Sequence, residues 1–326
     1  MALKNWRLNL LLVISCMAIL NSCTSKAPPT LRVGINAWPG YEFIYLAQEL
    51  GLYKKSGLDV RLIEFSSLSD ARRAYERGQI DALGTTVIEV LQSRENSEKS
   101  LQIVSISDYS DGADIIIANR HITDIKSLKG KEVGLELASL GVYVLARALE
   151  KNGLTLNDLH LQSLDQQSLT EALKAGELDA IVTYPPSNIQ LLTDPNFHTL
   201  FDSKAISGEV LDVIAIDQQF IQQHPAIVRQ FIAAFESAYQ YSLTHPDQAY
   251  AIMAEREGIT ANEFEIALTQ GIKMIRFSDQ ADYFKAHGKL DEVIQRTDKV
   301  LRESQQIKGI DHTKDIKSSL NSPGKQ

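Results

Sequence analysis

Five short segments of this chain carry side chains able to grip a small molecule. Trp38-Pro39-Gly40-Tyr41 sets two aromatic faces on a tight turn, and Thr85-Thr86 supplies hydroxyls that both donate and accept hydrogen bonds. Asp108, Tyr109, Asp111 and Asp114 bring carboxylates and a phenol into one short run. Ser139-Leu140-Gly141 and Thr183-Tyr184 add a small-residue helix start, another hydroxyl and another ring. Stacking, cation–π attraction and hydrogen bonding are what these residue types do. Covalent chemistry needs more than they offer. G-x-x-x-x-G-K-[ST], H-E-x-x-H, G-x-S-x-G and G-x-G-x-x-G are absent, and His121, His160, His198, His224, His245, His287 and His312 fall at no metal-ligand spacing. The expectation is a binding protein with no cofactor, no metal and no enzymatic activity.

The elements that must position these segments follow a repeated order. Thr30–Asn36 alternates as a strand, Pro39-Gly40 breaks it, and Tyr41–Gly51 has apolar residues at helical spacing. A strand at 57–65, a helix at 69–77 with Ser69 or Asp70 as N-cap, and a strand at 80–83 follow. About a hundred residues on, the order returns: strand 132–135, helix 139–151, strand 159–164, helix 168–175, strand 178–182. Gly34 matches Gly134, Gly57 matches Gly153, and RGQIDALGTT (77–86) echoes AGELDAIVTY (175–184). Strands alternating with helices predict parallel β-α-β units, and two copies predict two α/β lobes. From Asp217 the pattern turns helical, with His224-Pro225 and His245-Pro246 placing proline in a first helical turn. These helices are assigned to the first lobe, so the chain crosses between lobes near 111–114 and near 207–213. Ligands in such sheets bind beyond the carboxyl ends of the strands, where all five segments fall.

The N-terminus sets the compartment. Lys4 and Arg7 precede the uncharged run Leu8–Leu20, which is about 13 residues long and short of the roughly 20 that span a bilayer. Leu20-Asn21-Ser22-Cys23 resembles a lipobox, implying lipidation of Cys23 and a membrane anchor. The other cysteine, Cys16, leaves with a signal peptide of residues 1–22, so the mature body has no thiol for a disulfide or a nucleophile. Cleavage moves the formal charge from −8 to −10. An acidic body without basic runs excludes nucleic acid as a partner. Residues 23–30 read as a tether, and the polar stretch 304–326 reads as a disordered tail.

TLRVGINAWPGYEFIYLAQELGLYKKSGLDVRLIEF, GQIDALGTT, SDGADIII, SLKGKEVGLE and GELDAIVTYPP resemble the nitrate/sulfonate/taurine-type substrate-binding proteins of ABC importers, a family that includes thiamine-pyrimidine-precursor proteins. The resemblance runs from about Leu31 to about Leu301. It implies a type II periplasmic-binding-protein fold with a two-strand hinge, a first lobe of residues 31–111 and 213–303, and a second of 112–212. It also implies a monomer that captures a small-molecule ligand by lobe closure and docks on an ABC permease with its ATPase, from the periplasmic side of a bacterial membrane. A membrane sensor is the alternative partner. The family's pyrimidine-precursor synthases carry a cysteine-rich motif that this chain lacks. The segments named above contain aromatic rings and carboxylates and no Arg or Lys, so the expected ligand is an uncharged heterocycle, a zwitterion or an amine rather than a simple oxyanion.

Overall fold

The computed structural model describes residues 28–309 and 311–321. The expected signal peptide, Cys23 and most of the tether lie outside the described residues. Among the described residues, eleven strands form two sheets. The first contains β1 (Leu31–Ile35), β2 (Val60–Glu64), β3 (Ala82–Thr86), β4 (Leu101–Ser110), β10 (Leu211–Asp217) and β11 (Ile272–Met274), in the order β11-β4-β10-β3-β1-β2. The second contains β5 (Ile115–Asn119), β6 (Glu132–Leu135), β7 (His160–Ser163), β8 (Ala180–Thr183) and β9 (Phe197–Asp202), in the order β7-β6-β8-β5-β9.

Helices α1 (Glu42–Glu49), α2 (Leu52–Lys55), α3 (Leu68–Glu76) and α4 (Val87–Asn96) belong to the first lobe, and α5 (Leu140–Glu150), α6 (Gln166–Ala175) and α7 (Ser187–Leu191) to the second. After β10 come α8 (Gln218–Gln223), α9 (Pro225–Thr244), α10 (Pro246–Glu257), α11 (Ala261–Gly271), α12 (Gln280–Phe284) and α13 (Lys289–Glu303). The α9 helix packs on the first lobe: Phe43 of α1 sits between Phe235 and Tyr239 at 6.2 and 5.4 Å, and Tyr53 stacks on Phe231 at 5.5 Å. Among the described residues no helix is long and apolar enough to cross a membrane.

The two halves repeat one another in three dimensions. Val33 pairs with Ala82 and Gly34 with Leu83; in the second sheet Val133 pairs with Ala180 and Gly134 with Ile181. A Cβ on Gly34 would come within 2.6 Å of Ile80 Cδ1, and one on Gly134 within 2.4 Å of Leu178 Cδ1. Each glycine therefore makes room for the apolar residue of G-x-[IL]-D-A. The aspartate of that motif is structural in both copies: Asp81 accepts from the Arg32 N–H and Asp179 from the Glu132 N–H, each at 3.1 Å. The expectation of purely parallel units holds only for β2-β1-β3 and β7-β6-β8. The strands entering from the crossings, β10 and β5, are antiparallel to their neighbours.

The crossings are the segments 111–114 and 203–210 between the two sheets. They are tied together by Ser203, whose hydroxyl takes the Gly112 N–H and pairs with the Ser110 hydroxyl, both at 2.6 Å. Glu209 in the second crossing accepts from Arg147 of α5 and Arg296 of α13, at 2.7 and 2.8 Å, and from the Tyr143 hydroxyl. That carboxylate joins both lobes to the crossing. Burial pushes it up, but the Arg147 guanidinium and its other partners outweigh this and hold it below the usual range.

The described end of the chain corrects one expectation. Residues 304–309 and 311–321 are not a free tail. The Ile103 N–H donates to Ile316 O at 2.8 Å and the Ser318 N–H to Ile103 O at 3.0 Å, extending the edge of β4 that β11 covers only at 108–110. Ile307, His312 and Ile316 are buried, and His312 pairs with Glu95 at 2.5 Å. The polar composition concealed that these few residues suffice to cover an open sheet edge. Truncation before residue 311 removes this edge and the burial of Ile316, worth about 3 kcal/mol. Calorimetry of the truncated chain is expected to show a midpoint lowered by roughly 5–10 °C.

Candidate functional site

The turn after β1 holds the first part of the site. Tyr41 N–H donates to Trp38 O at 2.9 Å, closing the turn, and α1 begins immediately after it. The Trp38 indole N–H reaches Asp108 Oδ1 at 3.3 Å, and the Ser107 hydroxyl reaches Oδ2 at 2.7 Å. Gly40 lies so close to that carboxylate that an added Cβ would sit 1.8 Å from Asp108 Oδ2. The antiparallel register sets Asp212 of β10 directly opposite Asp108, and the Tyr41 hydroxyl donates to it.

Burial pushes Asp212 well above the usual carboxylate range, and the Asp108 charge beside it adds to the shift. Burial also lifts Asp108 to about 7, against the hydrogen bonds from Ser107 and Trp38. Asp114, in the first crossing, is raised to about 7 by burial, against its hydrogen bond with Ser110. Two carboxyls side by side in this setting cannot both ionise and instead share a proton.

The second lobe closes over this floor. The Tyr184 ring meets Trp38 edge-on at 6.2 Å and 78°, and its buried hydroxyl has no hydrogen-bond partner. The side-chain Oδ1 of Asn36 is likewise buried and unpartnered. Asn36, Trp38, Tyr41, Leu68, Leu140, Tyr184 and Asp212 enclose an inner chamber of about 10 Å³, enough for one water. Outside it, Ala37, Ser66, Asp70 and residues of α6 and α7 frame a mouth of about 660 Å³. Tyr184 lines both spaces and stands between them. The lobes are therefore closed, and a ligand larger than water needs them to part.

A further contact joins the lobes. Glu89, in the first turn of α4, accepts from the Ser139 hydroxyl at 2.7 Å and the Leu140 N–H at 2.8 Å, both at the start of α5. Its other oxygen takes the Thr86 hydroxyl. Arg72 of α3 donates to Ala138 O at 3.3 Å from the same side.

The expected residues divide accordingly. Trp38, Pro39, Gly40, Tyr41, Asp108, Asp114, Leu140 and Tyr184 lie in or beside the closed cleft. Trp38 is only 3 % exposed, because the second lobe covers it. Thr86 caps α4 through the Ile88 N–H, and Ser139 serves Glu89. Thr183 donates to Gln166 at 2.9 Å, and the buried Thr85 hydroxyl has no partner. Gly141 lies one turn position deeper, beside Leu135. Two expected residues are not brought in. Strand alternation turns Tyr109 to the opposite face from Asp108, within electrostatic reach of Tyr283. Asp111 pairs with Lys273 at 3.9 Å on the outside of the crossing.

Asp212, Asn36, Glu136 and Glu89 were not anticipated. Burial lifts Glu136, beside Gln166, to about 7. A charge inside the apolar strand LDVIAID was the available signal for Asp212. Thr86-Val-Ile-Glu89 reads in sequence as a local capping box, and only the fold sends its glutamate to the other lobe.

The NMT1/THI5-like family profile matches residues 38–249. The taurine-binding periplasmic protein of Escherichia coli is 24% identical over 199 residues, covering 60% of this chain and 61% of that protein. A 4-amino-5-hydroxymethyl-2-methylpyrimidine phosphate synthase of Aspergillus parasiticus is 24% identical over 240 residues, covering 68% of each. Among solved structures, the periplasmic aliphatic sulphonate binding protein SsuA of Escherichia coli superposes with a TM-score of 0.71 at 20% identity, over 89% of this chain and 96% of that one. This likeness shows a shared periplasmic-binding-protein fold.

The raised carboxyls fix a pH dependence. Asp108, Asp114 and Glu136 keep protons up to about 7 in the folded protein. In the unfolded chain they ionise near about 4. The folded state thus binds more protons between these values, and stability falls as pH rises through that window. Thermal melts are expected to show a higher midpoint at roughly pH 5 than at roughly pH 8, and Asp108→Asn is expected to flatten the slope.

Proposed function

Because this chain belongs to the NMT1/THI5-like family, we propose that it is the solute-binding component of an ABC importer. It takes a small organic solute of the sulfonate, taurine, pyrimidine or amine class between its two lobes and presents the closed form to a membrane permease. The observation that carries this reading is the chamber itself. Trp38, Tyr41 and Asp212 come from one lobe and Leu140 and Tyr184 from the other, so no single lobe holds the site. Such a site assembles only on closure, and closure is what a docking partner can sense. The taurine-binding and sulphonate-binding relatives support the same role.

Against the enzyme reading that the synthase relatives raise stands the chain's cysteine content. The groups around the chamber are rings, hydroxyls and carboxyls, and the chain's cysteines are Cys16 and Cys23 alone. Export with lipidation of Cys23 belongs to the same proposal. An anchored binding protein keeps its bound solute close to the permease it serves.

A thermal-shift screen of small metabolites tests the function. A true ligand at about 100 times its Kd stabilises the protein by about 2.7 kcal/mol. Trp38→Ala is expected to keep a cooperative melt and to weaken that ligand at least tenfold by calorimetry; unchanged affinity refutes the chamber as the site. For the anchor, Cys23→Ser is expected to abolish labelling by radioactive palmitate and to move the protein into the soluble fraction.

A further inference from the structure

The start of α5 is where this cleft presents its strongest anion-binding donors. The helix is eleven residues long, its axis begins at the lobe junction, and its first N–H groups carry the positive end of the helix dipole. Ala138 just before it takes a left-handed backbone with φ of 55°, and its carbonyl is taken by Arg72. Ser139 stands at the N-cap but does not cap its own helix. Its hydroxyl and the Leu140 N–H point instead to one oxygen of Glu89, which is fully buried. A carboxylate of this chain thus sits on the donors that would otherwise meet a ligand's oxyanion.

The remainder of the cleft is acidic. Asp108 and Asp212 lie buried against Trp38 and Tyr41, Asp114 is buried in the first crossing, and the unpartnered Asn36 Oδ1 lines the chamber with Tyr184. Arg72, buried at the same junction, pairs with Glu76 through Nη1 and donates to Ala138 O through Nη2, and its Nε is left without a partner.

We propose that Glu89 is a built-in anion that fills the oxyanion seat of this cleft, and that it makes the site select an organic cation over sulfonates, phosphates and carboxylates. A second anion at the seat meets saturated donors and a like charge at contact distance. A cation under the Trp38 and Tyr184 rings meets π faces and acidic groups, and its charge displaces the shared protons of the aspartates. The inference rests on the solute-binding reading and narrows it. Taurine fits only if its ammonium group enters the chamber and its sulfonate stays outside the α5 seat.

The test compares the mature chain with Glu89→Ala in calorimetric titrations with two probes, methanesulfonate and butylammonium. Glu89→Ala empties the seat and is expected to bind methanesulfonate at least tenfold more tightly than the unaltered protein. It is also expected to bind butylammonium more weakly. Equal methanesulfonate affinity in the two proteins, or none in either, overturns the assignment of Glu89. So does unaltered protein that prefers methanesulfonate to butylammonium. Should Glu89→Ala lose its cooperative melt, Glu89→Gln removes the charge while keeping an acceptor for Leu140, and the same gain is expected of it. The solute-binding reading fails separately, if the metabolite screen yields no ligand of either charge.

Discussion

The structure depends on one electrostatic constraint: Asp108, Asp114, Asp212, Glu89 and Glu136 are buried between and beneath the lobes, and among the described residues none of them is paired with a Lys or Arg. An isolated carboxylate in such surroundings costs several kcal/mol. Each group here meets the cost differently. Asp108 and Asp212 share a proton under donors from Ser107, Trp38 and Tyr41. Burial raises Asp114 and Glu136 to about 7. Glu89 is met by two hydroxyls and by the first N–H of α5. Glu209, at the crossing, shows the other solution, with Arg147 and Arg296 on its oxygens. The crossing therefore holds a satisfied ion pair. The cleft holds groups whose charge state depends on what lies between the lobes.

That difference separates structure from function along the sequence. The G-x-[IL]-D-A motif was readable because it recurs in both halves with the same job: its glycine turns, its apolar residue fills the space above Gly34 or Gly134, and its aspartate binds the neighbouring strand. The two lobes, the helical end and the turn at Trp38 followed from periodicity and from Pro and Gly. Glu89 was hidden because Thr86 and Glu89 have the spacing of a capping box, and nothing local reveals that the glutamate serves another helix. Asp212 was hidden because its partner, Asp108, is more than a hundred residues away and is set by β10 entering antiparallel. Tyr109 and Asp111 were grouped with Asp108 by proximity in sequence, and strand alternation separated them. The order at the end of the chain is not legible in its sequence because polar composition outweighs the few residues that cover β4.

The duplication sharpens this division. Residues doing the same job in both halves hold the lobes together: Gly34 and Gly134, Asp81 and Asp179. Aligned through the repeated motif, Thr86 stands where Tyr184 stands, and Glu89 where Ser187 stands. One lobe offers a hydroxyl and a carboxylate at the end of its third strand, and the other offers an aromatic ring. The first strands diverge likewise, with Trp38 in one lobe and the left-handed Ala138 in the other. Each lobe thus gives what its partner lacks: Trp38 receives Tyr184, and the Ala138-Ser139 turn receives Arg72 and Glu89.

Two identical lobes would close on a symmetric site, with a helix start facing a helix start and both favouring an anion. The asymmetry here cancels that preference. Glu89 occupies the helix start of the second lobe, while at the helix start of the first lobe Gly40 lets the Asp108 carboxylate pack against the turn. An added side chain at position 40 would evict that carboxylate, so the glycine serves the acidic floor as well as the turn. Both ends of the cleft that the fold makes positive have been given an internal acid. What is left for a ligand is the space between them, walled by Trp38, Tyr41 and Tyr184 and floored by carboxyls that can release protons to admit positive charge.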